Sequence, residues 1–400
     1  MPFRDGYEEG LKTRIRGTSA ARSDSLAIVG KLGRKSLSRG PLACNRWSLG
    51  RLASNPTTYE VMYVTDTTPD LAVIMDAVAL ACRAPSLHNS QPWRWVAEGS
   101  TLHLHADLTR VMIAADPEGR QLYLSCGAAL DHFTVAMAAA GWHTSVLRFP
   151  DALEPYHVAT MEFRPATEAD EGSRARAAAI GLRRTDRRPF ADPIGWPETE
   201  TQLRQAALPY HVMFDIVRDT ARPSLAQASR LTEAIRANDL SYAAELNWWT
   251  ALAATGEGVP ETALTSAAVS DRVDVKRRFP AVHDYRGSDD VRVDRSKIVV
   301  LSTHHEDARL DVLRCGEALS ALLLDCTVAG LATCTLTHMT ELAPSREIIR
   351  GLTGQRGTPQ LLIRIGQTAV TDEEFVPTPR KPLADVFRVR SSTTHGVIEP

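Results

Sequence analysis

The alternation of apolar and polar positions becomes regular only from Pro69 onward. Asp70–Cys82 combines helix-forming residues with a wide apolar stripe, and a proline just before it suits the start of a helix. Leu102–Asp107 alternates as a strand does, and Leu122–Ala140 is rich in Ala and Leu until Gly141 predicts its end. Further strands and helices are expected at Lys297–Thr303, Asp311–Ala329, Gln360–Ile365, Ser224–Arg236 and Ser241–Ala254.

The long Ala-rich helix has a second copy 189 positions later. Cys126–Gly141 starts with Cys-Gly and stops at Gly, and Cys315–Gly330 repeats both features over the same interval of 15 positions. A strand is predicted before each copy. One helix can match another by chance, because Ala and Leu are common, but the shared strands and stops favour a duplication. We therefore expect two related α+β halves that pack on their long helices and imitate a symmetric dimer within one polypeptide.

Residues 1–61 differ from the rest of the chain. They are rich in Arg, Ser and Gly without a sustained apolar period, so a solvated N-terminal extension is expected. Residues 1–60 carry 11 Lys/Arg and 5 Asp/Glu, which leaves a net charge of −8 on the remainder. Two alternatives stay open: translation starts at Met62, or the basic segment contacts nucleic acid. The predicted division is an extension over 1–61, a first half over 62–178 and a second half over 179–400.

Composition limits the class of protein. The 400 residues are 44% hydrophobic and 24% charged, as in ordinary globular proteins, and a formal charge of −2 argues against binding nucleic acid by bulk electrostatics. The six cysteines form no Cys-x-x-Cys pair, which favours buried thiols in a reducing compartment. No signal peptide is predicted. The apolar stretch Ala318–Thr337 contains Asp325 and fits a buried helix and strand better than a membrane span. We expect a cytoplasmic protein without membrane association.

Four segments carry more polar or basic side chains than a plain connection needs. Ala84–Trp95 offers Ser, His, Asn and Gln between two prolines, although a capped turn before core tryptophans explains it equally well. Arg183–Phe190 surrounds a threonine with four arginines, which suits a phosphate dianion; a solvated basic run neutralised by Asp186 is the alternative. Gly330–His338 is a β-branched stretch with a polar tip, and Thr378–Pro382 places two cations between prolines.

Together these segments resemble the nitroreductase family of FMN-dependent oxidoreductases, and more closely its Acg-type members, over about residues 69–389. Ala84–Trp93 is similar to the flavin loop of the family, Pro-Ser-x-x-Asn-x-Gln-Pro-Trp. Arg183–Arg187 resembles its Arg-Arg-Ser-x-Arg box, with Thr in place of Ser. Gly330–His338 resembles the Gly-Leu-x-Thr segment that brings backbone against flavin N5, and Arg380–Leu383 resembles the C-terminal Arg-Lys-Pro box.

The order of these boxes departs from that of ordinary family members. There the Arg box opens the chain and the flavin loop follows, whereas here the first half has only the loop and the second half only the Arg box. Since each flavin of the family homodimer lies between subunits, the resemblance implies one composite site between the fused halves. The implied FMN-binding residues are Ser86, His88, Asn89 and Gln91 of the first half and Arg183, Arg184, Thr185, Arg187, Leu336, Thr337, His338, Arg380 and Lys381 of the second.

The resemblance also implies a fold and a reaction. The expected fold is the α+β, nitroreductase-like FMN-binding fold, a pseudo-dimer in one chain. NAD(P)H and a small-molecule acceptor, nitroaromatic or quinone, would exchange hydride in turn through flavin N5, with no side chain required as acid or base. Arg187 would lie at the N1/C2=O edge of the flavin. The alternatives are a flavin-binding or storage protein with a covered site and a nucleotide-binding regulator that uses the basic extension.

Several other residues invite a functional interpretation. His103 and His105 share a strand face and His304–Glu306 is metal-like, but no closed ligand set accompanies them, so no metal is expected. Trp248 and Trp249 either wall the substrate pocket or pack in the core. The segment Asn238–Pro280 is a candidate lid.

Overall fold

The first half is built from two β-hairpins around a long helix. The computed structural model describes residues 68–166, 171–251, 256–279, 293–368 and 377–390. The predicted extension, residues 1–61, lies outside the described residues. The first-half elements are, in chain order, α1 (Leu71–Ala81), β1 (Trp93–Glu98), β2 (Thr101–Ala106), α2 (Arg120–Ala139), β3 (Trp142–Arg148), β4 (His157–Pro165) and α3 (Glu171–Leu182).

The second half repeats this plan with additional helices. Its elements are α4 (Trp196–Ala207), β5 (Met213–Val217), α5 (Arg222–Arg236), α6 (Leu240–Ala251), α7 (Ala267–Ser270), β6 (Lys297–Thr303), α8 (Arg309–Val328), β7 (Ala332–Leu336), α9 (Ala343–Leu352), β8 (Thr358–Gly366), α10 (Leu383–Val386) and β9 (Phe387–Arg390). Where described, each predicted element lies within two residues of its expected bounds. The start of α5 precedes Ser224 because Pro223 lies in the first turn, where no backbone N–H is needed.

The two sheets have the same strand order around their long helices. The first runs β3-β4-β2-β1, with β9 added beside β1, and the second runs β7-β8-β6-β5. In each half two strands precede the long helix and two follow it, and neighbouring strands of the repeated set are antiparallel. The duplication inferred from the helices therefore extends to the sheets, and the chain is an α+β pseudo-dimer.

The long helices α2 and α8 pack against each other at the centre of the molecule. Both end at a glycine with left-handed backbone, Gly141 (φ 84°) and Gly330 (φ 71°), which is the usual helix stop. Polar groups also cross between the helices: Ser320 donates to Asp131 at 2.5 Å, and His132 Nδ1 lies 2.7 Å from Ser320 Oγ. The helix repeat in the sequence therefore predicted the interface between the halves.

One apolar core continues through both halves. It joins Trp95 and Leu130 of the first half to Leu322 and Ile363 of the second, all fully or almost fully buried. Helix α2 is long and apolar enough to cross a membrane, but 78% of its apolar window is buried inside the protein, as in the core helix of a soluble protein. The stretch Ala318–Thr337 runs through α8 and β7, as expected. The cysteines within the described residues are buried free thiols.

The C-terminal segment of the second half crosses to the sheet of the first. Strand β9 pairs with β1 in parallel, with Phe387 beside Trp95. Just before it, Arg380 donates to the carbonyl oxygens of Cys82, Arg83 and Ala84 at the end of α1. This crossing fixes the C-terminal Arg-Lys-Pro residues beside the flavin-loop segment, almost 300 positions away in the chain.

Candidate functional site

A cavity of about 490 Å³ lies between the two halves. The loop between α1 and β1, together with one face of α2, forms its first-half side. The segment before α4, the end of β7 and residues 258–279 form the other side. Asn89 and Thr185 line this same cavity, as a composite site requires.

The structure brings most of the predicted site residues together. Those that line the cavity are Ser86, His88, Asn89, Arg183, Arg184, Thr185, Arg187, Leu336, Thr337 and Arg380. Gln91, His338 and Lys381 are not among its lining residues. Each of these three instead holds a neighbouring segment in place, by the contacts described next.

Gln91 ties three parts of the chain together behind the cavity. It is fully buried, its Nε2 donates to the carbonyl oxygen of Gly256 at 2.9 Å, and its Oε1 accepts from the backbone N–H of Lys381 at 2.9 Å. The ammonium of Lys381 lies 3.5 Å from Glu257. His338 turns towards α5, where its Nε2 lies 3.1 Å from Ser229 Oγ.

The predicted flavin loop holds its backbone in an unusual conformation. His88, Asn89 and Gln91 all have positive φ, at 48°, 58° and 50°. Such conformations are costly for residues other than glycine and persist where surrounding contacts fix them. Here Ser86 Oγ accepts from the backbone N–H of Gln91 at 3.0 Å, and Asn89 Nδ2 donates to the carbonyl oxygen of Pro379 at 3.2 Å. The two tryptophans that follow belong to β1 and are fully buried, as the core interpretation predicted.

One corner of the cavity collects positive charge. Arg83, Arg183 and Arg380 meet there, and within the described residues no carboxylate pairs with them. Burial, with Arg83 nearby, lowers the pKa of Arg183 to about 10. Burial, followed by Arg183 and Arg83, lowers the pKa of Arg380 to about 9. The Nε of Arg183 is buried without a hydrogen-bond partner. Mutual repulsion and an unsatisfied donor give this corner the chemistry that an anion would complement.

The Arg box reaches the cavity through its pairing with β7. Thr185 bridges to Thr333, and the backbone N–H of Asp186 donates to the Thr333 carbonyl oxygen at 2.8 Å. The carboxylate of Asp186 pairs with Arg188 at 2.6 Å, and neither of these two residues lines the cavity. Arg187 does line the cavity and donates to the carbonyl oxygen of Ala263 at 2.8 Å.

Residues of the 258–279 segment form a wall that the sequence motifs did not indicate. Phe279 packs edge-on against His88, with ring centroids 5.7 Å apart, and the guanidinium of Arg187 lies 4.8 Å from the Phe279 ring. Arg277 forms a buried ion pair with Glu341 and donates to Thr337 Oγ1 at 3.1 Å. These residues fall within the predicted lid, but no motif singled them out.

The remaining candidates lie elsewhere. Trp249 is buried in a small cluster with Met112 and Tyr242, whereas Trp248 is 63% exposed, so neither lines the cavity. On the sheet of the first half, His105 stacks on His157, and His103 meets the His157 ring edge-on. Within the described ranges no group of His, Cys, Asp and Glu has a geometry that could hold a metal ion.

Similarity to individual known proteins places the chain in a family, although no family model matches it. It is 53% identical over 326 residues to "Putative NAD(P)H nitroreductase acg" of Mycobacterium tuberculosis, which covers 82% of this chain and 98% of that protein. It is 48% identical over 328 residues to "Uncharacterized protein Rv3127" of the same organism, covering 81% and 95%.

Among solved structures, the FMN-dependent nitroreductase NfnB from Mycobacterium smegmatis in complex with NADPH is 15% identical, with a TM-score of 0.32. That match covers 55% of this chain and 99% of NfnB. Because the identity to the Acg relative extends over nearly all of that protein, this chain belongs to the Acg-type group of the nitroreductase family of oxidoreductases.

Proposed function

We propose that this protein is an FMN-dependent oxidoreductase that passes hydride from NAD(P)H through flavin N5 to a nitroaromatic, quinone or similar acceptor. The observation that carries the proposal is the cavity between the halves, where Arg83, Arg183 and Arg380 converge and no carboxylate of the described residues pairs with them. Membership of the nitroreductase family supports the same class of reaction.

The residues at the positive corner fit the phosphate of FMN. A phosphate offers several acceptor oxygens to guanidinium groups, and the partnerless Nε of Arg183 is a donor for one of them. Thr185 adds a hydroxyl to the cavity wall. Lys381 was expected among the FMN-binding residues, but its ammonium is close to Glu257, so we assign Arg83 as the third cation at the phosphate.

The other lining residues fit the isoalloxazine end. Leu336 and Thr337 line the cavity where β7 ends, and Arg187 adds a guanidinium. When bound, the flavin supplies the hydride transfer itself. His88 and His338 are buried, and burial followed by the charge of Arg277 lowers the pKa of each well below its ordinary value. Both imidazoles therefore stay neutral at pH 7, which agrees with a transfer that needs no side-chain acid.

A flavin-binding or storage protein is the second candidate function. The contact of Phe279 with His88 and the stacking of Arg187 on Phe279 favour it, because they close the cavity wall around the loop residues. A flavin covered there would be retained without reaching NAD(P)H or an acceptor.

The colour of the purified protein distinguishes these functions. An oxidoreductase is expected to be yellow and to lose its visible absorbance when NADH or NADPH is added without oxygen. A yellow protein that neither nucleotide bleaches would establish the storage function instead. A protein that stays colourless after incubation with excess FMN would contradict both.

Matched arginine variants test whether the positive corner of the cavity binds the phosphate of FMN. Arg183→Ala and Arg380→Ala should each weaken FMN binding by roughly 10- to 100-fold, the contribution of one charge-assisted contact. Arg174→Ala and Arg388→Ala remove the same charge from exposed positions of α3 and β9 and should leave the FMN dissociation constant unchanged. Equal binding by all four variants would contradict the assignment.

We further propose one such site per chain, with the halves divided at residues 62–178 and 179–400. The proposed partners are NAD(P)H and a small-molecule acceptor, not nucleic acid or membrane, and the proposed location is cytoplasmic.

A further inference from the structure

Arg277 joins groups of both halves at the cavity wall. Its guanidinium donates to Tyr242 Oη at 2.7 Å and to Thr337 Oγ1 at 3.1 Å, and it pairs with the carboxylate of Glu341. One of its terminal nitrogens also lies 3.5 Å from Nε2 of His88, in the first-half loop. The guanidinium is therefore held in one position by groups on three sides while it faces His88.

The side chain that holds Arg277 is itself fixed. The carboxylate of Glu341 is fully buried, accepts from Gln121 Nε2 at 3.1 Å and lies 3.7 Å from Arg236. Burial alone would lower the pKa of Arg277, but Glu341 and Tyr242 together raise it above its ordinary value. Arg277 is thus a permanent cation beside His88.

A guanidinium has only donors, and this decides which imidazole nitrogen of His88 carries the proton. A proton on Nε2 would point at the donors of Arg277, so Nε2 must be the acceptor nitrogen and Nδ1 must carry the N–H. A second proton would place two positive charges side by side. The charged groups that face His88 are Arg277 and Arg187, both cations, and Phe279 supplies the remaining ring contact.

We propose that Arg277 is a positioning residue that keeps His88 neutral and protonated on Nδ1. His88 then offers a fixed hydrogen-bond donor, not a mobile proton, to a carbonyl oxygen or ring nitrogen of the molecule in the cavity. The part that concerns the bound molecule rests on the proposed binding of FMN, whose ring carries such acceptors. The part that concerns Arg277 and His88 does not depend on it.

Nuclear magnetic resonance of the full chain with ¹⁵N-labelled histidine tests the relationship directly, with His88→Gln used to assign the signal. In the wild type, His88 should carry its proton on Nδ1 and show no titration between pH 5 and pH 8. In Arg277→Met the titration midpoint of His88 should rise, while burial and Arg187 still hold it below the ordinary value near 6.5, so the titration is followed below pH 5 as well. Arg277→Lys retains a cation and should restore the wild-type behaviour.

If Arg277→Met does not fold, because Glu341 is left charged and unpaired, the double variant R277M/E341Q removes that charge and gives the same test. A wild-type His88 protonated on Nε2, or one whose titration is the same in Arg277→Met, would overturn the proposal.

FMN binding tests the donor role separately. His88→Asn keeps a donor near the Nδ1 position and tolerates positive φ, whereas His88→Gly keeps the backbone conformation and removes the donor. The dissociation constant of FMN should stay within about twofold in His88→Asn and rise by about three- to tenfold in His88→Gly. Equal affinity in both variants would overturn the donor role. A wild type that binds no FMN would contradict the proposed function while the NMR result still stands on its own.

Discussion

Gly127 and Gly316 face each other where the two long helices cross. A Cβ on Gly127 would overlap the carbonyl oxygen of Leu313 and lie 3.0 Å from the backbone nitrogen of Glu317. A Cβ on Gly316 would overlap the carbonyl oxygen of Leu124. The two glycines occupy the same place in the two copies of the repeat, 189 positions apart. The backbones therefore approach reciprocally, and any side chain at either position must push the halves apart.

Gly127→Ala should destabilise the protein. An added methyl group in a close-packed crossing costs about 1–3 kcal/mol, and here the atoms it meets are backbone atoms that cannot rotate away. Because the cavity lies between the same two halves, FMN binding should weaken as well. Urea unfolding of Gly127→Ala and of the wild type at pH 7.5 measures the first effect, and titration with FMN measures the second.

Gly181→Ala provides the matched control. Gly181 lies in α3, and a Cβ there would meet no atom within 4 Å. The same substitution should therefore stabilise the helix by about 0.5–1 kcal/mol. Equal urea midpoints for the two alanine variants would show that the close crossing does not constrain the fold.

The fold could be predicted largely because the chain contains two copies of the same structural unit. Apolar periodicity located α2 and α8, and the Cys-Gly starts and Gly stops showed that these helices are copies. Local signals sufficed since each helix is buried on nearly every side and stops at a glycine that adopts a left-handed conformation. The pairing of β9 with β1 could not be found in this way, because it depends on where a segment almost 300 residues later comes to lie.

The site was predicted in part for a similar reason. Boxes with a distinctive residue order, such as the loop before Trp93 and the arginines after Leu182, could be recognised along the chain. Arg83, Arg277 and Phe279 carry no such pattern, and they reach the cavity only through tertiary packing. Lys381 shows the converse: its motif resembles the C-terminal box of the family, but its ammonium lies 3.5 Å from the carboxylate of Glu257.

Substitution of Asn89 should separate its side-chain role from its backbone role. Its Nδ2 donates to the carbonyl oxygen of Pro379, which ties the loop to the C-terminal segment just before Arg380, and its φ is 58°. Asn89→Ala should weaken FMN retention and also cost about 1–2 kcal/mol of backbone strain. Asn89→Gly removes the same hydrogen bond without that strain.

Fluorescence titration with FMN and urea unfolding distinguish the two roles of Asn89. Both variants should bind FMN more weakly than the wild type. Only Asn89→Ala should also have a free energy of unfolding lowered by backbone strain. FMN binding at wild-type strength in Asn89→Ala would show that the tie to the C-terminal segment does not support the site.

Removal of residues 1–61 should leave the flavin content unchanged. Within the part of the chain that the structure describes, every residue that lines the cavity lies between Arg83 and Arg380. The ratio of FMN to protein, measured by absorbance after purification of the full chain and the shortened chain, checks this. A shortened chain that folds, as judged by circular dichroism, but loses its flavin would assign the basic extension a part in the site.

The cluster of His103, His105 and His157 on the first sheet should make the protein sensitive to acid. Burial, followed by the neighbouring His157 and His103, lowers the pKa of His105 to about 4. The unfolded chain binds this proton near pH 6.5 and the folded chain only near pH 4, so the stability present above pH 6.5 is lost as the pH falls through that window.

The comparison of His105→Phe with the wild type isolates this effect. Phenylalanine keeps a ring beside His157 and cannot titrate, so the urea midpoint of the variant should fall less between pH 7.5 and pH 5 than that of the wild type. Asp116 and Asp131, whose pKa values burial raises to about 6, act in the opposite direction, but they are common to both proteins and cancel in the difference. His143→Gln, at an exposed position of β3, should follow the wild type. Parallel pH profiles for His105→Phe and the wild type would show that the histidine cluster does not govern the loss of stability in acid.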